Sequence, residues 1–228
     1  MGVTIEGLAD AASVLGQAVL GPAELEKALG YDPLKVLTPD ERHAVERVPF
    51  SRADLERAKT DGEILVLRVP RDPDGPLTML ALSKRLSGGL DPKVHTGVGY
   101  MLRDEWTIDA QPFATGDTCA AGWWLVRRAP LPKTLNRGNR AQDDVLAELG
   151  PAPTDRPRRR SAIEIAYDTL VFQRARGERL LAGAWDWSRS PSNDQGYAAL
   201  GEFGERGLGV IAYSRAVRFG TLGVCPQR

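Results

Sequence analysis

The chain is short of the residues that catalysis, metal binding and disulfide scaffolds draw on. It has two cysteines and two histidines in 228 residues, with no C-x-x-C pair and no Cys/His spacing of a zinc site, so a disulfide framework and a structural metal centre are both excluded. It also lacks an excess of either charge. Thirty Lys and Arg balance thirty Asp and Glu, whereas a general nucleic-acid or membrane-surface binder carries surplus cations to displace phosphate counterions. No long hydrophobic run occurs. Ala11 to Leu20 is broken by Gly16 and Gln17 and has no basic residues before it, so it reads as neither a signal peptide nor a spanning helix. A cytoplasmic location is the expectation, and display on a virion or other surface is compatible with it.

What is present fits a globular chain. At 42% hydrophobic and 26% charged, one sizeable core forms without staples, because a domain of this length buries roughly 70–75% of its unfolded surface. Arginine outnumbers lysine 24 to 6, beside 24 Gly and 16 Pro. That bias has the look of a G+C-rich codon preference, so a single Arg is a weak pointer to recognition.

Residues 1–35 read as a helical lead-in and 36–228 as one domain. Thr38-Pro39-Asp40-Glu41 and Ser51-Arg52-Ala53-Asp54 are helix-start signals and predict helices near 39–47 and 51–60. Ile64-Leu65-Val66-Leu67 predicts a buried strand, and 70–76 a solvated turn, since Asp72-Pro73-Asp74-Gly75 has too few ligands for calcium. Helices follow at 77–86 and about 140–149, with the Gly122 to Arg127 strand between them. Arg158-Arg159-Arg160 reads as a solvated linker. Ser161-Ala162-Ile163-Glu164 caps the longest helix, which presents Ile163, Ala166, Tyr167, Leu170 and Val171 on one face through Arg176. Strands then recur at 185–188, 197–203, 208–213 and 222–225.

Chemistry is thin. His43 lies in a charged helix and His95 in a loop, neither with a partner nearby in sequence. Cys119 and Cys225 stand 106 positions apart without an adjacent base, and read as small apolar filler. Trp123, Trp124, Trp185 and Trp187 could stack on a ligand, but two indoles on one face of a strand read as core. No metal or cofactor is expected. A binding scaffold fits these residues better than an enzyme.

The order of motifs in the C-terminal half adds a family likeness. Gly122-Trp123-Trp124-Leu125-Val126-Arg127-Arg128-Ala129-Pro130-Leu131-Pro132 comes first, then the capped helix ending Arg176-Gly177-Glu178-Arg179-Leu180, and then Trp185-Asp186-Trp187-Ser188. Leu200-Gly201-Glu202-Phe203, Gly207-Leu208-Gly209-Val210, Arg218, Leu222-Gly223-Val224 and Arg228 close the chain. Taken together, over about residues 30–228, this order resembles the variable proteins of diversity-generating retroelements. The resemblance implies an α+β, C-type lectin-like fold, related to formylglycine-generating enzymes, with short strands, irregular loops and a few helices.

It also implies that 200–228 is a ligand-facing region, rewritten by an associated reverse transcriptase that miscopies template adenines. Phe203, Gly207, Leu208, Val210, Arg218, Leu222, Gly223 and Val224 would be fixed framework. Arg206, Gly209, Ile211, Ala212, Tyr213, Ser214, Arg215, Ala216, Val217, Phe219, Gly220 and Thr221 would be the variable, ligand-binding positions, with Glu205 a departure from the pattern. Adenine mutation of AAC or AAT codons cannot produce Lys, Glu, Gln, Met or Trp, and 211–221 contains none of them. The ligand is expected to be a protein, with no nucleic acid and no membrane as partner. The alternatives are a static interaction or virus-structural module, or an oxidase like the formylglycine-generating enzymes, whose paired cysteines this chain does not reproduce in sequence.

Overall fold

The computed structural model describes residues 5–92, 107–150, 157–193 and 196–228; His95, Tyr100 and Trp106 lie outside them. The chain is α+β. Helix α1 (Leu8–Leu15), strand β1 (Val19–Leu20) and helix α2 (Pro22–Leu29) open it, followed by α3 (Pro39–Val45) and α4 (Arg52–Thr60). Both of the latter start on capping boxes, with Thr38 and Ser51 as the N-caps. Strand β2 (Glu63–Arg68) is followed by a two-residue hairpin, β3 (Arg71–Asp72) and β4 (Gly75–Pro76), and by α5 (Met79–Arg85) and β5 (Leu90–Pro92). Then come α6 (Pro112–Thr115), β6 (Gly122–Arg127), α7 (Asn139–Ala147) and α8 (Ala162–Arg176). Strands β7 (Trp185–Pro191), β8 (Tyr197–Gly204), β9 (Gly207–Tyr213) and β10 (Leu222–Gly223) complete the chain.

The strands form a β1-β2-β6 sheet and a β10-β7-β8-β9-β5 sheet. β1 runs parallel to β2, and Leu20 and Leu25 are fully buried in the common core. Within residues 5–35, β1 and α2 thus contribute directly to the common core. The C-terminal tail runs beside β6, with Leu125 and Arg228 exchanging backbone hydrogen bonds at 3.0 Å. The segment 70–76 is a turn, but Asp72 is buried and held by Arg85 at 2.9 Å.

Helix α8 departs from the one-faced helix of its spacing. Every residue from Ala162 to Phe172 is buried, because both sheets claim it: the Tyr167 hydroxyl donates to Leu67 O in β2, while α8 also touches β7, β8 and β9. Over these residues the helix has no solvent face on which to place charge; Arg174 in its last turn is exposed.

Its charges are accordingly paired inside. Arg68 of β2 donates to both oxygens of Asp168, at 2.7 and 2.5 Å, and to Gln227 Oε1 at 2.6 Å. Arg160 joins Asp168 at 2.6 Å to Asp186 of β7 at 2.7 Å. Glu164 lies 3.1 Å from Arg68 and accepts from Gln227 Nε2. Arg159, bonded to Asp143 at 2.8 Å and to Trp187 O at 2.8 Å, is 6% exposed, and Arg160 is 2% exposed. Arg159 and Arg160 are thus not part of a solvated linker, while Arg158 is exposed and lies over the Trp124 ring. A guanidinium enters the interior only when its fork is satisfied, and the acids supplying the partners come from three elements, α7, α8 and β7.

Burial disfavours the charged form of Glu164, but Arg68, the Ser161 N–H, Gln227 and Arg189 outweigh it and hold the carboxyl at about 2. Above 4.5, its unperturbed value, the preference for the folded state is fully present; it is lost as pH falls toward about 2, and is worth on the order of 3 kcal/mol. Urea midpoints measured from about pH 6 down to about pH 2.5 should fall more steeply for the wild type than for Glu164→Gln. Parallel pH profiles would show that Glu164 does not carry this acid sensitivity.

Candidate functional site

The residues singled out from sequence centre on the connection from β9 to β10. Leu222, Trp185, Gly201 and Gly209 share one row across the sheet. The chain leaving Tyr213 must therefore return four residues along the strands, about 13 Å, while crossing three strand spacings, about 14 Å. That diagonal of about 19 Å is two-thirds of what nine extended Cα steps reach. Two turns, Val217 N to Ser214 O at 3.0 Å and Leu222 N to Phe219 O at 3.1 Å, take up the rest. Residues 214–221 consequently lie along one face of the sheet.

Pleating decides which face. Trp185 and Trp187 lie in rows with Gly201, Ala199, Gly209 and Ile211, whereas Asp186 points the other way, toward Arg160 and α8. The small residues opposite the two indoles leave room for the rings. At Gly201 the fit is tight: a Cβ there would stand 2.0 Å from Ala184 O. Tyr213 meets both indoles edge-on, at 6.2 and 6.4 Å between centroids, and Phe219 of the crossover meets Tyr213 at 5.4 Å. An aromatic column thus runs from the core to the crossover.

β9 is consequently covered on both sides, by α8 on one and by the indoles and crossover on the other. Gly209, Ile211, Ala212 and Tyr213, expected to face a ligand, are buried. Arg206 is exposed but sits in the β8–β9 turn, 3.4 Å from Asp91 of β5, at the opposite edge of the sheet from β10. The remaining candidates come together. Val217 and Phe219 are half-buried and turned inward, while Arg215, Ala216, Gly220 and Thr221 are exposed and Ser214 partly so. Arg218, expected in the framework, is exposed; the other framework residues are buried.

The crossover is held by its backbone. Asn139 N donates to Arg215 O at 3.0 Å, Asn136 N to Phe219 O at 3.1 Å, and Trp185 N to Thr221 O at 2.8 Å. The supports are fixed in turn: Arg159 donates to Asn139 O at 3.1 Å, and Gln142 Nε2 to Leu222 O at 3.3 Å and Thr134 O at 2.9 Å. Among the outward side chains, Arg215 covers the Tyr197 ring at 4.8 Å and donates to its hydroxyl.

Other chemistry on the described residues is sparse. His43 is exposed on α3 and bonds Glu46 at 2.7 Å beside an open cleft. A second open cleft, about 360 Å³, is lined by Asp117, Thr118, Ser161, Arg189, Ser190 and Pro191, and its arginine is paired with Glu164. Cys119 and Cys225 are buried free thiols that burial pushes well up in pKa. Among the described residues no group of three His, Cys, Asp or Glu could hold a metal ion, and no helix is long and apolar enough to cross a membrane. Comparison with family models, curated proteins and solved structures gave no match.

Inward and outward positions should separate in mutation. Tyr213→Ala is expected to cost about 3–5 kcal/mol of unfolding free energy, as for other buried aromatics, and Ala216→Ser or Thr221→Ala less than about 0.5 kcal/mol. Chemical denaturation measures both. Equal losses would contradict this division of the segment.

Proposed function

We propose that this chain is a non-enzymatic binding protein of C-type lectin-like fold, with the 214–221 crossover as its recognition surface, diversified in the manner of retroelement variable proteins. The observation that carries the reading is the mode of anchoring. Carbonyls of residues 215, 219 and 221 fix the path of the crossover, and every residue type has a carbonyl. Outward side chains can therefore be exchanged while the backbone holds its place, which is what a rigid frame with a changeable binding surface requires.

The reading narrows the variable set to Ser214, Arg215, Ala216, Gly220 and Thr221, with Val217 and Phe219 as its inward anchors. The oxidase alternative finds little support. Thiol chemistry runs through an accessible thiolate, whereas both sulfurs are enclosed and their ionisation is opposed by burial.

The test is a surface-display library randomised at residues 214, 215, 216, 220 and 221. Most members should retain wild-type display and protease resistance, and panning on protein baits should enrich binders. Widespread loss of folding would sink the proposal. For the retroelement part, the flanking DNA should hold a near-copy of the 3′ end differing at template adenines, beside a reverse-transcriptase gene.

A further inference from the structure

The arginines around the crossover are unlike those elsewhere among the described residues. Arg68, Arg85, Arg159, Arg160 and Arg228 are tied to carboxylates, Arg174 to a backbone carbonyl and Arg158 and Arg179 to aromatic rings. Among the described arginines, Arg137, Arg140 and Arg218 alone have side chains with no hydrogen bond, ion pair or ring contact. All three are exposed, and they belong to the two segments that the Asn136–Phe219 and Asn139–Arg215 backbone bonds clamp together. Exposed Lys133, without an ion pair, and Arg215 lie in the same two segments.

No acid answers them locally. Residues 129–142 and 206–227 contain no Asp or Glu. On the next turn of α7, Asp143 is engaged by Arg159, and Asp144 forms no ion pair with Arg140. In a chain of zero net charge, these two stretches carry cations only, with exposed Asp144 one turn along α7 from Arg140.

We infer that the partner of the crossover surface presents carboxylates: an acidic face or segment of a protein. This rests on the proposed role of 214–221 as a recognition surface. Guanidinium forks match carboxylates in pairs, and Arg137 and Arg140 lie outside the rewritten stretch, so they favour acidic partners whatever the crossover carries. Carboxylates fit better than nucleic acid because non-specific strand binding uses exposed aromatic platforms. Here Tyr213 is buried, Phe219 is half-buried against it, and the Tyr197 ring is covered by Arg215.

The library described above, with Arg137, Arg140 and Arg218 kept, is panned in parallel on Glu/Ser, Gln/Ser and Lys/Ser peptides of equal length and on oligo-dT. Enrichment should be highest on Glu/Ser. The selected binders should lose about tenfold in affinity at low salt when Arg137→Gln, Arg140→Gln and Arg218→Gln are combined, as for several exposed pairs acting together, with unchanged circular dichroism. Equal enrichment on the Gln/Ser or Lys/Ser peptides, or no loss in the triple variant, overturns the acidic preference while leaving the recognition surface standing. Tighter binding of oligo-dT through the same arginines overturns it in favour of nucleic acid. Binders to none of the four, from a folded library, remove the recognition surface itself and this inference with it.

Discussion

A chain of buried charges, Arg68 to Asp168 to Arg160 to Asp186, decides how the two sheets and the central helix meet. Each contact joins a different pair of elements: β2 to α8, α8 to the segment before it, and that segment to β7. The C-terminal tail closes the set, with Gln227 bonded to Arg68 and Glu164, and Cys225 N to Asp186 at 2.9 Å. Removing such groups from water costs several kcal/mol per ion, so the network favours the fold over its competitors only when all members are in place. That all-or-none condition specifies geometry more than it adds stability. Arginine suits it because a planar fork reaches two acceptors at once, which a lysine ammonium does by chance of rotamer.

The surface inherits this geometry. Asp186 is held on one side of β7, and pleating then fixes Trp185 and Trp187 on the other. Tyr213 and Phe219 stack outward from the indoles, which sets the height at which the crossover runs. Arg159 does the same from the flank by gripping Asn139 O and Trp187 O together. Nothing in this chain of support depends on residues 215, 216, 220 or 221 except through their backbone, so the parts of the molecule that specify the fold and those that meet solvent are chemically separate.

Local signals in the chain were legible and non-local ones were not. Capping boxes and apolar runs place α3, α4, β2, α7, α8 and the last strands within a few residues, since those signals act over one or two turns. The environment of α8 depends on two sheets formed by residues up to a hundred positions away, and its spacing alone suggests a single buried face. The same applies to Arg159 and Arg160. One available sign was Asp186 between two core indoles: an acid on a strand covered from both sides needs a buried cation. The resemblance assigns Ile211 to Tyr213 to the ligand-facing set, yet they are buried because β9 is an inner strand, and strand order, unlike strand identity, is not a local property. Within the crossover, Val217-Arg218-Phe219-Gly220 does alternate inward and outward, a period-2 signal too short to stand out against its neighbours.

The balance of charge takes on a different meaning once the contacts are known. Zero net charge describes the whole chain, yet charge acts over about 8–10 Å at physiological salt, a distance far smaller than the molecule. Carboxylates are concentrated where the scaffold's arginines need them, on α3, α4, α8 and the β2 strand. The segments around the crossover are left without acids. A codon preference can explain why arginine is abundant, but it does not explain why the described arginines whose side chains have no partner are gathered beside one connection. Neutrality of the whole is in this way compatible with a positive surface at one place, and the same pairing that builds the interior produces it.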